Sequence, residues 1–274
     1  SIKEKALGPD HPATAMTLHN LALLLHDRGD LKGARPLYEC ALVTYEKGLG
    51  PDHTATAVSL DSLACLLHDM GDLRGARPLF ERALAIQEKA LGPDHPDTAR
   101  SVSNLAHVLY AMGDLKGARP ICERALAIRE RVLGPDHPHT ATSLNNLASL
   151  LREMGDLKEA RPLLERALAI DEKALGPNHP GTAFSLNNLA MLLQDMGDPK
   201  GARPFYERAW VTNKTALHWL LPTLSSRERC AMVGDRAQQL SYYLLAFADD
   251  PTKTYSAACA WKGAALRASA AALR

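Results

Sequence analysis

The sequence predicts an all-α fold, a solenoid of stacked helix–turn–helix repeats closed by helices at its C-terminal end. Three observations predict it. The heptapeptide ALGPDHP at Ala90–Pro96 recurs as ALGPDHP at Ala6–Pro12, GLGPDHT at Gly48–Thr54, VLGPDHP at Val132–Pro138 and ALGPNHP at Ala174–Pro180. Its glycine falls at Gly8, Gly50, Gly92, Gly134 and Gly176, a constant step of 42 residues, and a fixed period of that size marks an array of supersecondary units. Within each period, apolar residues recur at spacings of three and four in two separate runs, the pattern of two amphipathic helices.

One period, Pro135–Gly176, justifies each element in turn. Pro138 suits the first helical turn, where its missing N–H had no partner to lose. Leu144, Leu147, Leu151 and Met154 then form one apolar stripe. Gly155 can take positive φ and end that helix, and Asp156 is placed to cap the next. Leu157, Leu164, Leu168 and Leu175 continue the apolar pattern until Gly176–Pro177 stops it. Between periods, alanine repeats at 22, 64, 106, 148 and 190 on the first helix and at 34, 76, 118, 160 and 202 on the second. Small residues at such points let helices cross closely, so a larger side chain overpacks the seam. Pro36, Pro78, Pro120, Pro162 and Pro204 lie beyond the first turn of the second helix, where each deletes a backbone hydrogen bond and is expected to bend the helix.

Composition narrows the function. The 274 residues carry 32 lysines and arginines against 31 aspartates and glutamates, so no strong field favours a nucleic acid or an anionic membrane. Five scattered cysteines, without a C-x-x-C pair, argue against a disulfide framework or a zinc site and fit a reducing, cytoplasmic setting. No apolar run reaches the ~18 residues that cross a bilayer. Neither a glycine-rich phosphate loop, a nucleophile elbow nor a metal-spaced cluster is present, so no enzyme activity, cofactor or metal is expected.

The run NLASLLREMGDLKEARPLLERAL at Asn146–Leu168 resembles the tetratricopeptide repeat. Leu144, Leu147, Ala148, Leu151, Ala160, Leu164 and Ala167 fall on the signature positions of that family. The 42-residue period is similar to the longer form found in kinesin light chains and many bacterial proteins. The resemblance covers Ser1–Leu217 and implies a right-handed superhelical solenoid, with residues 1–217 as repeats and 218–274 as a helical cap or linker. Ser1–Gly8 aligns with the tail of a second helix, Ala169–Gly176, so a preceding unit is expected to be cut through, and its exposed face is a candidate for self-association.

The recurring histidines, His11, His53, His95, His137 and His179, invite a metal or acid–base reading. Helices pack ~8–10 Å apart, too far for equivalent residues to share a metal whose ligands lie ~2 Å from it. The expectation is structural: each imidazole ties down backbone groups of its loop.

In tetratricopeptide arrays the first helices line a concave groove that holds a peptide or protein segment. Carried over by position, the groove includes the track Asn20, Ser62, Asn104, Asn146 and Asn188, whose asparagines offer both donor and acceptor to an extended main chain. Three neighbouring rows vary although the scaffold does not: His19, Asp61, Ser103, Asn145, Asn187; Leu23, Cys65, His107, Ser149, Met191; and Met16, Val58, Arg100, Thr142, Phe184. Stacking cannot demand a residue type it does not repeat, so these rows are free to carry specificity. The peptide-binding set expected is Asn20, Ser62, Arg100, Asn104, His107, Asn145, Asn146, Ser149, Asn187 and Asn188. With Arg100, His107 and Arg152 at the middle and Met16, Leu23, Phe184 and Met191 at the ends, the expected ligand has apolar residues flanking a polar, acidic centre.

The pattern fails after Ala209. Ser225–Glu228 reads as a capping box, and Cys230, Val233, Ala237, Leu240, Leu244 and Phe247 follow as an amphipathic helix, with an alanine-rich helix from Asp250–Pro251 to Arg274. Leu221–Arg274, with WKG at Trp261–Gly263, resembles the segment before the peptidase-like domain of bacterial CHAT proteins, which are caspase-related. That implies the sensing region of a larger peptidase. A free-standing adaptor resembling kinesin light chain is the alternative.

Overall fold

The computed structural model describes residues 10–220, with side chains as far as residue 212. Among the described residues there are ten helices and no strand. First helices of the repeats are α1 (Pro12–Asp27), α3 (Thr54–Asp69), α5 (Pro96–Ala111), α7 (Pro138–Met154) and α9 (Pro180–Asp195). Second helices are α2 (Leu31–Leu49), α4 (Leu73–Leu91), α6 (Leu115–Leu133), α8 (Leu157–Leu175) and α10 (Pro199–Leu220), the last running past residue 217. The chain divides into two units, Ser1–Pro135 and Asp136–Arg274. In the N-terminal unit α1 pairs with α2, α3 with α4 and α5 with α6, while α2 packs on α3 and α4 on α5. In the C-terminal unit α7 pairs with α8 and α9 with α10, and α8 packs on α9.

The heptapeptide is a helix start, and its histidine is the cap. His11, His53, His95, His137 and His179 all stand at the N-cap with extended backbone, and each Nδ1 accepts the backbone N–H two residues on at 3.0–3.2 Å. The ring thereby satisfies one of the donors that a helix start leaves unpaired. The loop is fastened twice more. Thr56, Thr98 and Thr182 donate their hydroxyls back to the carbonyls of Gly50, Gly92 and Gly176. The loop aspartates Asp52, Asp94 and Asp136 pair with Lys89, Arg131 and Lys173 near the end of the second helix at 2.6–2.8 Å.

Between the helices of a pair the chain turns at a left-handed glycine, as at Gly155 with φ 86°. Asp156 N–H donates to the Leu151 carbonyl and Gly155 N–H to that of Arg152, the Schellman pair of bonds. The second helix then starts at an aspartate. Asp30, Asp72, Asp114 and Asp198 accept the N–H of Gly33, Gly75, Gly117 and Gly201 at 2.8–3.0 Å. Asp156 stands at the N-cap as expected, but its side chain makes no cap bond. Its third helical position is Glu159 rather than glycine. At Gly75 a Cβ would sit 2.6 Å from Asp72 Oδ2, so a residue with a Cβ there pushes the capping carboxylate away. The interior prolines leave every second helix continuous.

Both alanine rows are buried, from Ala22 to Ala190 and from Ala34 to Ala202. Around them the first helices bury Leu60, Leu66, Leu144, Leu150, Leu186 and Leu192, and the second bury Tyr38, Phe80, Leu164 and Tyr206. Fully burying one such side chain stabilises the fold by about 1.5–3 kcal/mol. The expected capping helices, the 221–274 resemblance and the Ser1–Gly8 tail lie outside the described residues.

Candidate functional site

The first helices leave one stripe uncovered, at the spacing i, i+4, i+7. In the N-terminal unit it comprises Met16, Asn20 and Leu23 on α1, Val58, Ser62 and Cys65 on α3, and Arg100, Asn104 and His107 on α5. Met16, Asn20, Leu23, Val58, Arg100 and His107 are exposed, while Ser62, Cys65 and Asn104 are half-buried. Ser62 donates its hydroxyl to the Val58 carbonyl of its own helix at 3.1 Å, so its lone pairs face outward without that proton. Arg100 lies 3.5 Å from Asp97, three residues before it.

The C-terminal ends of these helices form a histidine–carboxylate cluster. His26 Nε2 lies 2.8 Å from Asp69 Oδ2, and His68 Nδ1 lies 3.1 Å from Asp69 Oδ1. The His68 and His107 rings stand 5.0 Å apart between centroids. Burial pushes the Asp69 carboxyl up, but the bonds from His26 and His68 outweigh it and hold the group below its ordinary value. Burial, and then the charge of His68, push the His107 ring down. Burial followed by the charges of Asp61 and Asp69 raises the Cys65 thiol to about 11, so it is no thiolate nucleophile at neutral pH.

The same stripe in the C-terminal unit is Thr142, Asn146 and Ser149 on α7, with Phe184, Asn188 and Met191 on α9. Thr142, Asn146 and Phe184 are exposed and Ser149 and Met191 half-buried. Its far end opens into a cavity of about 320 Å³ lined by Arg152, Glu153, Met191, Gln194 and Asp195. Arg152 is 3.1 Å from Glu153 and 3.4 Å from Asp195, so its charge is already balanced by two carboxylates.

The structure sorts the ten expected binding residues. Asn20, Arg100, His107 and Asn146 are exposed, and Ser62, Asn104 and Ser149 are half-buried. Asn145, Asn187 and Asn188 are buried. Asn145 Nδ2 donates to the Ala141 carbonyl at 3.1 Å and to Ser185 Oγ at 2.7 Å, and Asn188 Nδ2 donates to Asn145 Oδ1 at 3.1 Å. Ser185 Oγ in turn donates to Asp171 Oδ2 at 2.5 Å. These groups hold α7, α8 and α9 together and are not presented on the surface. Two repeats earlier, Asp61, Gln87 and Ser101 occupy the matching positions, with Gln87 and Ser101 both donating to Asp61. Gln87 and Asp171 were not among the residues expected from the sequence. A signal was present: Ser59, Ser101, Ser143 and Ser185 repeat a hydroxyl on an otherwise apolar seam.

Among the described residues no three histidine, cysteine, aspartate or glutamate side chains are grouped to hold a metal ion, and no helix is long and apolar enough to cross a membrane.

Family profiles for the tetratricopeptide repeat match residues 14–55, 56–97, 97–173 and 144–209. No curated protein matches the chain. Among solved structures, the crystal structure of nearly identical TPR-like repeats ascribed to a kinesin light chain of Podosopora anserina shares 29% identity over 75% of this chain and 98% of that one, with a TM-score of 0.66. A variant of the same repeats has a TM-score of 0.68, again at 29% identity, over 75% of this chain and 97% of that one. BtubC (BKLC) from P. vanneervenii shares 25% identity over 73% of this chain and 80% of that chain, with a TM-score of 0.65. The profile matches run from residue 14 to residue 209 of 274, and the chain belongs to the tetratricopeptide-repeat family.

Proposed function

We propose that this chain is a protein-interaction scaffold that holds a peptide or protein segment against the uncovered stripe of its first helices. One observation carries the reading. The alanine rows that stack are repeated and buried, whereas the rows Met16, Val58, Arg100, Thr142, Phe184 and Leu23, Cys65, His107, Ser149, Met191 vary in type and stay exposed or half-buried. Variation at the seam is matched by a packing partner, as Asp61 is by Gln87, whereas the variation along the stripe falls where side chains meet solvent and is open to the demands of a ligand. In the N-terminal unit the stripe passes from apolar (Met16, Leu23, Val58) to cationic (Arg100), which fits a segment with apolar anchors followed by an acidic residue. Arg152, balanced by Glu153 and Asp195, does not extend that cationic centre. Likeness to repeats ascribed to a kinesin light chain supports an adaptor role rather than catalysis.

The test is capture of a partner by the chain, followed by calorimetric titration of the captured segment into the wild type and into Asn104→Ala/Asn146→Ala. A loss of about five- to 150-fold in affinity is expected if two main-chain hydrogen bonds at about 0.5–1.5 kcal/mol each are removed. Unchanged affinity removes this surface from consideration. The finer reading, that the array is the sensing region of a CHAT-type peptidase, rests on the resemblance at Leu221–Arg274, beyond the residue-209 limit of the family matches. Coding sequence for a caspase-like domain with a histidine–cysteine pair downstream of Arg274 would support it, and a stop codon there would favour the free-standing adaptor.

A further inference from the structure

Three side chains meet between α3, α4 and α5: Asp61, Gln87 and Ser101, exposed by only 5%, 1% and 0%. Both donors converge on a single carboxylate oxygen. Ser101 Oγ donates to Asp61 Oδ2 at 2.6 Å, and Gln87 Nε2 donates to the same atom at 3.2 Å. The other oxygen, Asp61 Oδ1, is buried without a partner, and so is Gln87 Oε1. An ionised carboxylate shares its charge between two equivalent oxygens, and leaving one of them bare in the interior is costly. A neutral acid is asymmetric, with one oxygen that accepts and one that carries a proton to donate. Oδ2 receives every bond and Oδ1 none, which is the asymmetry of the acid. The Nε2···Oδ2 bond joins an amide to a carboxyl group, and the remaining oxygen of each is buried and unpartnered. A proton on Oδ1 supplies the donor that Gln87 Oε1 lacks and closes a two-bond acid–amide ring.

We propose that Asp61 is held in the folded protein as the neutral acid, doubly paired with Gln87, and that loss of its proton loosens the seam between the second and third repeats. The charged groups acting on it are both on α5, Arg100 favouring the anion and Asp97 opposing it; α4 contributes the neutral Gln87, and on α3 itself the nearby Cys65 thiol is protonated. Burial dominates and raises the carboxyl above its ordinary value, while the bonds from Ser101 and Gln87 and the charge of Arg100 draw it back only in part. The sign follows from linkage. A folded-state value raised above the unfolded one, about 3.9, gives stability that is complete below that value and is lost as pH rises through the folded value. Arg100 and Asn104 of the uncovered stripe lie on α5 beside this seam, so the proton also bears on how that stripe is presented. The inference itself does not depend on what the stripe binds.

Urea unfolding of the full chain from about pH 4 to 8, for the wild type and Asp61→Asn, tests it. Asparagine places an N–H where the acid places its O–H, so the ring stays closed and cannot titrate. The ratio of wild-type to variant unfolding constants should rise by up to about tenfold per pH unit above pH 4 and level off beyond the folded value. A ratio independent of pH overturns the proposal. If the variant fails to fold, a carboxyl carbon-13 titration of the wild type decides directly. A neutral-acid shift at pH 5 on the carbon assigned to Asp61, as distinct from the equally buried Asp171, supports it; an ionised Asp61 carbon at that pH overturns it.

Discussion

The seams of the two units repeat the same three positions with the chemistry exchanged. In the N-terminal unit the acid is on the first helix (Asp61) and the amide on the second (Gln87). In the C-terminal unit the amide is on the first helix (Asn145) and the acid on the second (Asp171). A serine from the next first helix, Ser101 or Ser185, donates to the acid in both. The difference is in completeness. Ser185 both accepts from Asn145 and donates to Asp171, and Asn188 donates to Asn145 Oδ1, so the bonds run on from α8 through α9 to α7. Around Asp61, two acceptors are left over. What this teaches is that the seam demands complementarity, not a residue type. Exchanging second helices between the two hairpins would set Asp61 against Asp171 and Asn145 against Gln87. Two acids or two amides pair less well than one of each, so a chain of near-identical repeats gains a means of telling its own hairpins apart.

The apolar core, common to both units, carries the largest expected effects. Leu60 and Leu144 hold the same position in their repeats and are both fully buried. Leu60→Ala and Leu144→Ala should each cost about 2–5 kcal/mol in urea unfolding, with losses that agree closely. Clearly unequal losses would mean that the units differ in packing as well as in polar chemistry.

The polar seams should then separate. Ser185→Ala removes the acceptor of one bond and the donor of another, leaving Asp171 without its hydroxyl partner, for a loss of about 2–3 kcal/mol. Ser101→Ala removes one donor from Asp61, which keeps its bond from Gln87, for a loss of about 1 kcal/mol. Equal losses in the two variants would erase the distinction drawn between relayed and unrelayed serines.

The repeats, turn glycines and buried alanine rows were legible because each is dictated by backbone geometry that recurs every 42 residues. Asn20, Arg100, His107 and Asn146 were placed on the surface by the same logic. Asn145, Asn187 and Asn188 were not: Asn145 and Asn188 bond one another between α7 and α9, and α9 is packed on both α8 and α10. The uncovered stripe is then narrow, and on α7 one residue around the helix separates a solvent-facing asparagine from a seam asparagine, while on α9 even the stripe position Asn188 is drawn into the seam. Helical period alone does not resolve that step, and the contrast of Asn146 exposed with Asn145 buried marks the boundary. The partners of the seam, Gln87 and Asp171, lie on second helices, 26 residues downstream of Asp61 and Asn145, a separation that becomes a contact only once the hairpin is closed.

The smallest expected effects concern the caps, where the units also differ. Asp72→Ala removes the bond to Gly75 N–H at 2.9 Å and should cost about 1 kcal/mol. Gly75→Ala also expels the capping carboxylate, since its Cβ would stand 2.6 Å from Asp72 Oδ2. Here, however, a helical position changes from glycine to alanine, a gain of about 0.8–1 kcal/mol in propensity. The two contributions nearly cancel, and the urea midpoint should move by the equivalent of less than about 0.5 kcal/mol. Glu159, which stands where the other repeats have glycine and whose helix starts without an aspartate cap bond, is the same trade already made in the C-terminal unit. A loss at Gly75→Ala as large as that at Asp72→Ala would show that the cap outweighs propensity, and the glycine in the other four repeats would then be held for the cap alone.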